Sequence, residues 1–480
     1  MQIVGRQKEQ KVIKNCLESP RPEFLALYGR RRVGKTYLVR ESLKERIVFS
    51  FTGAAKAGKT KQLALFDEAM ETYGKPVSAP TRDWLEAFKR LRLFFEEKIA
   101  ETDEGQKFVI FIDELPWLAT HKSGIVSALE HFWNSWGSAC PQLLLVVCGS
   151  ATSWIIDNII NEHGGLHNRV TRKLCIEPFN LDECEEYYRY RGIVMSRMQI
   201  AEVYMILGGI PYYMDYLEKE YSPAQNIDNL FFVKDAPLAN EYRDLYASLF
   251  KKPENHLLII KALGSTGKGM VQKELEKATG IKAGGTLTKA LSELEQCGFI
   301  RLYRDFSTPG KDFNYQLIDF FSLFYLKHIS SARSSDTHYW RNQNRKGGQN
   351  AWNGLAFERV CIAHCEQIRQ RLGILGVFTG ISAWRSRHSS PAVQIDMVLD
   401  RDDGIINLCE IKFTSQPLYI DAAMDSAMRI RRETFRAETC TKKALHTTLV
   451  SANGLSEGSY RGEFQGLVVL DDLFNPIMEL

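Results

Sequence analysis

The sequence predicts an α/β protein: a mainly parallel sheet clad in helices, a helical segment, a winged helix-turn-helix, and a second α/β domain. Three patterns lead to that reading. Between residues 1 and 178, short apolar runs at 24–28, 46–51, 108–112, 143–148 and 173–176 alternate with helical stretches. Uninterrupted apolar runs suit strands buried on both faces, and intervening helices serve as right-handed crossovers of a parallel sheet. From 179 to 250 the pattern turns helical, rich in Glu, Tyr and Leu, with no clear strand signal. Residues 251–328 then give three helical runs, HLLIIKALGS, MVQKELEKATG and TLTKALSELEQCG, followed by FIRLYRDF and FNYQLID across a Pro-Gly turn. Helix, helix, helix, hairpin is the order of a winged helix. The polar stretch 329–350 reads as a linker. In 351–480 a helix precedes a hairpin around Arg401-Asp402-Asp403-Gly404, and a further helix and two strands follow.

Length and composition agree with several packed domains. The chain has 480 residues, which at about 150 per domain suggests three. A hydrophobic share of 44% with 25% charged residues excludes global disorder, collagen and a coiled-coil rod. Sixty-two Lys and Arg against 58 Asp and Glu leave +4, too little to imply a partner by itself. No apolar run approaches the ~20 residues that span a bilayer, so no membrane partner is expected. The opening MQIVGRQKEQ is charged at once, unlike a signal peptide. Ten cysteines without a C-x-x-C pair suit a cytoplasmic protein with reduced thiols.

The chemistry concentrates first at Gly29-Arg30-Arg31-Arg32-Val33-Gly34-Lys35-Thr36, which matches G-x-x-x-x-G-K-[ST]. Glycines let backbone amides wrap phosphates, Lys35 reaches the β- and γ-phosphates, and Thr36 holds Mg²⁺. The same pattern recurs at Gly53-Ala54-Ala55-Lys56-Ala57-Gly58-Lys59-Thr60. The first match is preferred, because it follows the first strand and leads into the apolar-periodic Tyr37-Leu38-Val39. The strand at 108–112 ends in Asp113 and Glu114, placed to bind the Mg²⁺ shell and to polarise water. Ser150, ending the next buried strand, can sense the γ-phosphate or orient water. Arg169 and Arg172 can supply positive charge, in cis or from a second subunit of a homo-oligomer, and surface arginines are the plain alternative. ATP and Mg²⁺ are the cofactors implied.

These motifs resemble the archaeal-type ATPase family, AAA- and STAND-like and also common in bacteria. The resemblance rests on Val4-Gly5-Arg6-Gln7-Lys8-Glu9, on GRRRVGKT, on FIDELPWL, and on Leu207-Gly208-Gly209-Ile210-Pro211-Tyr212. It implies a P-loop NTPase core with a helical lid, Pro211 near the adenine, Gly5 and Arg6 close to the base, and no phosphate loop at Gly53.

A second constellation lies near the C-terminus. Period-two alternation places Glu410 and Lys412 on one face of a strand, and Asp396 on the adjacent strand can approach it. Two carboxylates can bind a second Mg²⁺ or a Mn²⁺, and a lysine can activate water or stabilise phosphate charge. Glu358 is a candidate fourth member. This is the D…E-x-K layout of the PD-(D/E)xK nuclease-like fold, similar to the C-terminal domain that accompanies the family. Gln394-Ile395 stand where that layout has a proline ahead of Asp396. DNA is the candidate partner, although the recognition helix around Lys289 also carries Glu293 and Glu295. A regulator with a silent nuclease fold is the competing reading. Cys361, His364 and Cys365 read as core residues rather than metal ligands, as do Trp133, Trp136, Tyr212 and Tyr213.

Overall fold

The computed structural model describes all residues except 1, 102–104, 121, 162–167, 268, 305, 307–312, 333–335, 345–348, 387–388, 390–392, 459 and 479–480. The chain divides into two compact units, Met1–Pro178 and Phe179–Leu480.

In the first unit, β1 (Glu23–Tyr28), β2 (Ile47–Thr52), β3 (Phe108–Asp113), β4 (Leu143–Cys148) and β5 (Arg172–Cys175) form one sheet in the order β2-β3-β4-β1-β5. Every pairing is parallel. β3 and β4 are buried along their whole length, which explains why their sequences are unbroken apolar runs. Helices Lys59–Thr72, Trp84–Ala100 and Ile125–Ser135 bury Phe66, Trp84, Phe88 and Phe132 in the same core as Phe24, Phe49 and Phe51. Each such aromatic contributes roughly 1.5–3 kcal/mol through burial. Trp133 packs on Phe24, and Trp136 on Phe95 and Phe132.

The second unit begins with helices, among them Leu181–Tyr190, Arg197–Leu207 and Pro223–Phe231, each opened by a capping box. Tyr213 is buried there and donates to Glu241 Oε1 (2.7 Å). Tyr212, expected in the core, is 40% exposed instead, because the short helix Pro211–Met214 turns it away from its buried neighbours.

Helices Glu254–Thr266, Gln272–Thr279 and Gly285–Gln296 follow, with β6 (Met270–Val271), β7 (Ile300–Arg304) and β8 (Phe313–Leu317) pairing antiparallel in the order β6-β8-β7. That is a winged-helix arrangement. The turn expected to join its hairpin lies outside the described residues. The polar stretch 329–350 is more than a connector: it contains helix Tyr339–Asn344, and its Trp340 is buried. The fully buried Asp228 accepts from Trp340 N (2.8 Å) and Arg341 Nε (2.7 Å).

The last five strands, β9 (Thr379–Arg385), β10 (Gln394–Arg401), β11 (Ile405–Lys412), β12 (Ala444–Ser451) and β13 (Gly466–Val469), form a mixed sheet in the order β13-β12-β11-β10-β9. The β9-β10-β11 meander is antiparallel, and β11-β12-β13 are parallel. Helices Gln349–Ala363 and Ala422–Thr439 accompany it. The winged helix is fastened to this domain at two points. Phe306 N donates to Ala383 O (3.2 Å), and its ring packs on Phe435. Arg359, 3% exposed, donates to Gly267 O (2.6 Å) and Leu317 O (3.2 Å).

Arg359 therefore satisfies two carbonyls of the winged helix from the neighbouring domain. Losing hydrogen bonds to a charged donor costs about 1.5–3 kcal/mol each. Arg359→Met should destabilise the second unit by about 3 kcal/mol, read as a lower denaturant midpoint in the fluorescence of Trp340, Trp352 and Trp384.

Candidate functional site

The chain leaves β1 at Tyr28 and turns sharply at Gly29, whose φ is +129° and whose added Cβ would stand 2.2 Å from Ile176 O. No other residue fits there. Gly34, at φ 88°, caps helix Lys35–Leu43. The loop 29–36 thus links the C-terminal end of a parallel strand to a helix N-terminus, where backbone amides and the helix dipole favour an anion. Within it Arg30 and Val33 are buried, Arg31 and Arg32 are half-buried, and Arg32 is left-handed at φ 72°.

The polar side chains converge. Lys35, 6% exposed, donates to Gly29 O (2.9 Å) and Arg30 O (2.7 Å). Burial pushes its ammonium pKa below the usual lysine value, opposed by the charges of Cys148, Glu114 and Asp113. Thr36 Oγ1 donates to Asp113 Oδ2 (2.8 Å), and Asp113 Oδ1 accepts from Glu114 N (3.0 Å). Glu114 is left-handed, at φ 49°. Its Oε2 accepts from Ser150 N (3.2 Å) and Ser150 Oγ (3.0 Å). A hydroxyl and a carboxylate already in contact form an oxygen donor pair suited to Mg²⁺. Sequence reasoning missed how Arg6 acts. It is 5% exposed, and its Nη2 donates to Val33 O (3.1 Å), bracing the loop from the N-terminal segment. An arginine after a glycine ahead of the first helix was the available signal.

The second G-x-x-x-x-G-K-T match is filled from within. The Gln62 carboxamide accepts from Ala54 N (3.0 Å) and donates to Ala54 O (2.7 Å), Ala57 O (3.4 Å) and Trp117 O (3.1 Å). Gly58 is extended rather than left-handed, at φ −74°. Its lysine is only half-buried. This loop is closed on a side chain.

Arg169 is not brought to the phosphate loop, and neither is Arg172. β5 runs parallel to β1, with Arg172 level with Leu25 and Cys175 level with Tyr28. Gly29 lies four residues beyond Leu25, about 13 Å along the strand direction. Arg169 precedes Arg172 and is exposed. Both belong to the opposite end of the sheet, which corrects the in-cis assignment. Pro211 opens the short helix Pro211–Met214 in the second unit, beside Gly209, whose carbonyl accepts from Phe179 N (2.8 Å).

In the second unit, Met397 pairs with Cys409 and Val398 with Leu408. Continuing that antiparallel register sets Asp396 opposite Glu410, and residues directly opposite share a face. Glu358, from helix Gln349–Ala363, joins them with Gln394, Lys412 and Arg431 around a pocket of about 550 Å³. Lys412 Nζ lies 2.7 Å from Glu410 Oε1, and Arg431 Nη1 donates to Glu410 Oε2 (2.8 Å). Arg431 was not anticipated; the arginine-rich run RIRRETFR gave no sign of which side chain points inward. Burial, then the charge of Asp396, pushes the Glu358 carboxyl up to about 7. Burial, then Glu410, raises Asp396 as well. Among the described residues no group of three or more His, Cys, Asp or Glu is arranged to hold a metal ion.

His364 uses both ring nitrogens, bonded to Leu181 N (3.0 Å) and Val360 O (2.9 Å), and burial pushes its pKa down to about 4. Cys361 and Cys365 are buried beside it. On helix Gly285–Gln296, Thr286, Thr288, Lys289 and Ser292 are exposed. Arg301 is less available to a phosphate: its Nε donates to Gln316 Oε1 (2.7 Å), and burial with the nearby Arg359 pushes its pKa down to about 10.

Residues 3–217 match the family model described as an ATPase domain predominantly from Archaea. The uncharacterized protein MJECL04 of Methanocaldococcus jannaschii is 24% identical over 428 residues, covering 86% of this chain and 87% of that one. The Walker-type ATPase paby2304 of Pyrococcus abyssi is similar in fold, with a TM-score of 0.51 and 19% identity over 68% of this chain and 96% of that one. No helix among the described residues is long and apolar enough to cross a membrane. Residues 3–217 are therefore similar in sequence to an ATPase domain, and the chain is similar in fold to a Walker-type ATPase.

Proposed function

We propose that the chain binds and hydrolyses ATP at the loop 29–36 and couples nucleotide state to a nuclease-like module, 351–480, that acts on DNA. The observation that carries the ATPase reading is the Thr36–Asp113 hydrogen bond, which joins the glycine loop to the acidic strand with Lys35 alongside. Loop amides and Lys35 would take the β- and γ-phosphates, Lys35 exchanging its two loop carbonyls for phosphate oxygens. Thr36 and Asp113 would hold Mg²⁺, which neutralises phosphate charge. Glu114 would accept a proton from the attacking water, aimed by Ser150. An arginine contribution from 169 or 172 would have to come from another copy of the chain.

The nuclease reading rests on Asp396, Glu410 and Lys412 meeting Glu358 in one pocket. Asp396 and Glu410 offer oxygen donors of the kind Mg²⁺ and Mn²⁺ take. A regulatory ATPase with a silent nuclease fold is favoured by a different observation: both oxygens of Glu410 are already engaged by cations.

Lys35→Ala should abolish nucleotide binding while Lys59→Ala leaves it intact, measured by titration with a fluorescent ATP analogue. Glu114→Gln should keep binding and lower ATP turnover about 10²–10⁴-fold. If Lys59→Ala abolishes binding instead, the site assignment fails.

Single- and double-stranded DNA should be cut with Mg²⁺ or Mn²⁺ by the wild type and not by Lys412→Ala, and cleavage should change with ATP in the wild type but not in Lys35→Ala. Wild-type protein inert on every substrate would leave the regulatory reading.

The raised Glu358 pKa has its own consequence. A carboxyl raised from 4.5 to about 7 favours the folded state fully below pH 4.5, and that stability is lost as pH rises through 7. Glu358→Gln should flatten the fall in melting temperature between pH 5 and 8.

A further inference from the structure

β2 is the outermost strand of the first sheet and is bonded to β3 on one side only. Gly53 N donates to Asp113 O at the end of β3, so strand alternation turns the amides and carbonyls of Ser50 and Thr52 the other way. Among the described residues nothing bonds them on that outer side. The crossover from β1 to β2 and the one from β2 to β3 run in opposite directions across the sheet. Right-handed connections therefore put helix Lys35–Leu43 on one face and helix Lys59–Thr72 on the other. The ends of both helices line the open edge. Arg40 and Lys44 from the first, and Thr72 and Tyr73 from the second, enclose with Ser50 and Thr52 a groove of about 700 Å³. The strand itself is anchored, because Phe49 and Phe51 are buried and pack on Phe66.

We propose that this groove takes up an extended, acidic segment of a partner protein, which adds to β2 as a further strand of the sheet. Strand addition pairs the open amides and carbonyls of an edge with those of an incoming chain. Ser50 and Thr52 each offer one of both kinds. The flanking helices decide what can enter. A lone strand fits between them, whereas the β2 edge of a second copy would bring its own pair of helices against them. Charge decides which strand is taken. Arg40 and Lys44 are exposed and one helical turn apart, and Glu41 is the one carboxylate among the lining residues. A segment carrying Asp or Glu is therefore favoured over a basic one. Tyr73, half-buried against Phe49, adds an aromatic face for an apolar side chain of the segment. The surface shares no residue with the carboxylate pocket or with the loop 29–36.

The test is fluorescence anisotropy of two fluorescein-labelled octapeptides with the full-length protein. One peptide alternates Val and Glu, the other Val and Lys. The acidic peptide should bind about tenfold more tightly, and Arg40→Glu combined with Lys44→Glu should reverse that order. Ser50→Pro removes an outward N–H that β3 does not use, a change edge strands accept, and it should abolish binding of the acidic peptide. The same peptide N-methylated throughout should fail to bind the wild type, which decides the matter even where Ser50→Pro does not fold. Circular dichroism and binding of a fluorescent ATP analogue report the fold of each variant. Binding that survives both changes is charge attraction alone and overturns strand addition. Equal binding of the two peptides, or none, also overturns the proposal and leaves Arg40 and Lys44 as guards of a blunted edge. A dimer in sedimentation velocity that Ser50→Pro dissolves assigns the edge to a second copy of the chain instead.

Discussion

One hydrogen bond organises the first unit: Thr36 to Asp113, across the end of a strand belonging to neither. β1 and β3 are not neighbours, because β4 lies between them. The loop after β1 and the acidic end of β3 therefore face each other over the C-terminal end of β4, in the crevice where open parallel sheets place ligands. Ser150, just past β4, fills the gap by bonding Glu114. The strand order sets this meeting: with β4 between β1 and β3, Ser150 stands beside the Thr36–Asp113 contact and reaches Glu114.

Most of this was legible. Runs such as FVIFID and LLLVVC suit doubly buried strands, and the carboxylates ending the first of them needed a partner loop. What stayed hidden depended on distance through the fold. Arg169 reads as a candidate because it is basic and follows the domain's last crossover, yet the parallel pairing of β5 with β1 fixes it at the far end of the sheet. Arg431 was passed over for the opposite reason, and Arg6 was expected only near the base. Each sits in a run of charged residues, and only packing shows which one turns inward. The reading of 329–350 as a linker left out a helix and a buried tryptophan, because polar composition cannot reveal that Trp340 and a buried aspartate hold the segment.

In the second unit, neighbouring positions on one stretch of chain perform separate tasks. Glu358 lines the carboxylate pocket, Arg359 holds two winged-helix carbonyls, and His364 takes the first amide of helix Leu181–Tyr190. The winged helix also touches the last sheet, with Phe306 N bonded to Ala383 O of the edge strand β9. An edge strand covered in this way offers fewer free backbone groups to a stranger.

The glycine-lysine pattern occurs twice in this chain, in two different settings. At 53–60 the chain supplies its own occupant, a carboxamide two residues past the motif, which accepts from one backbone amide and donates to backbone carbonyls. A glutamine in that register is thus a resident plug. The two matches, equal in letters, differ in the side chain that holds the loop: Lys35 at one and Gln62 at the other.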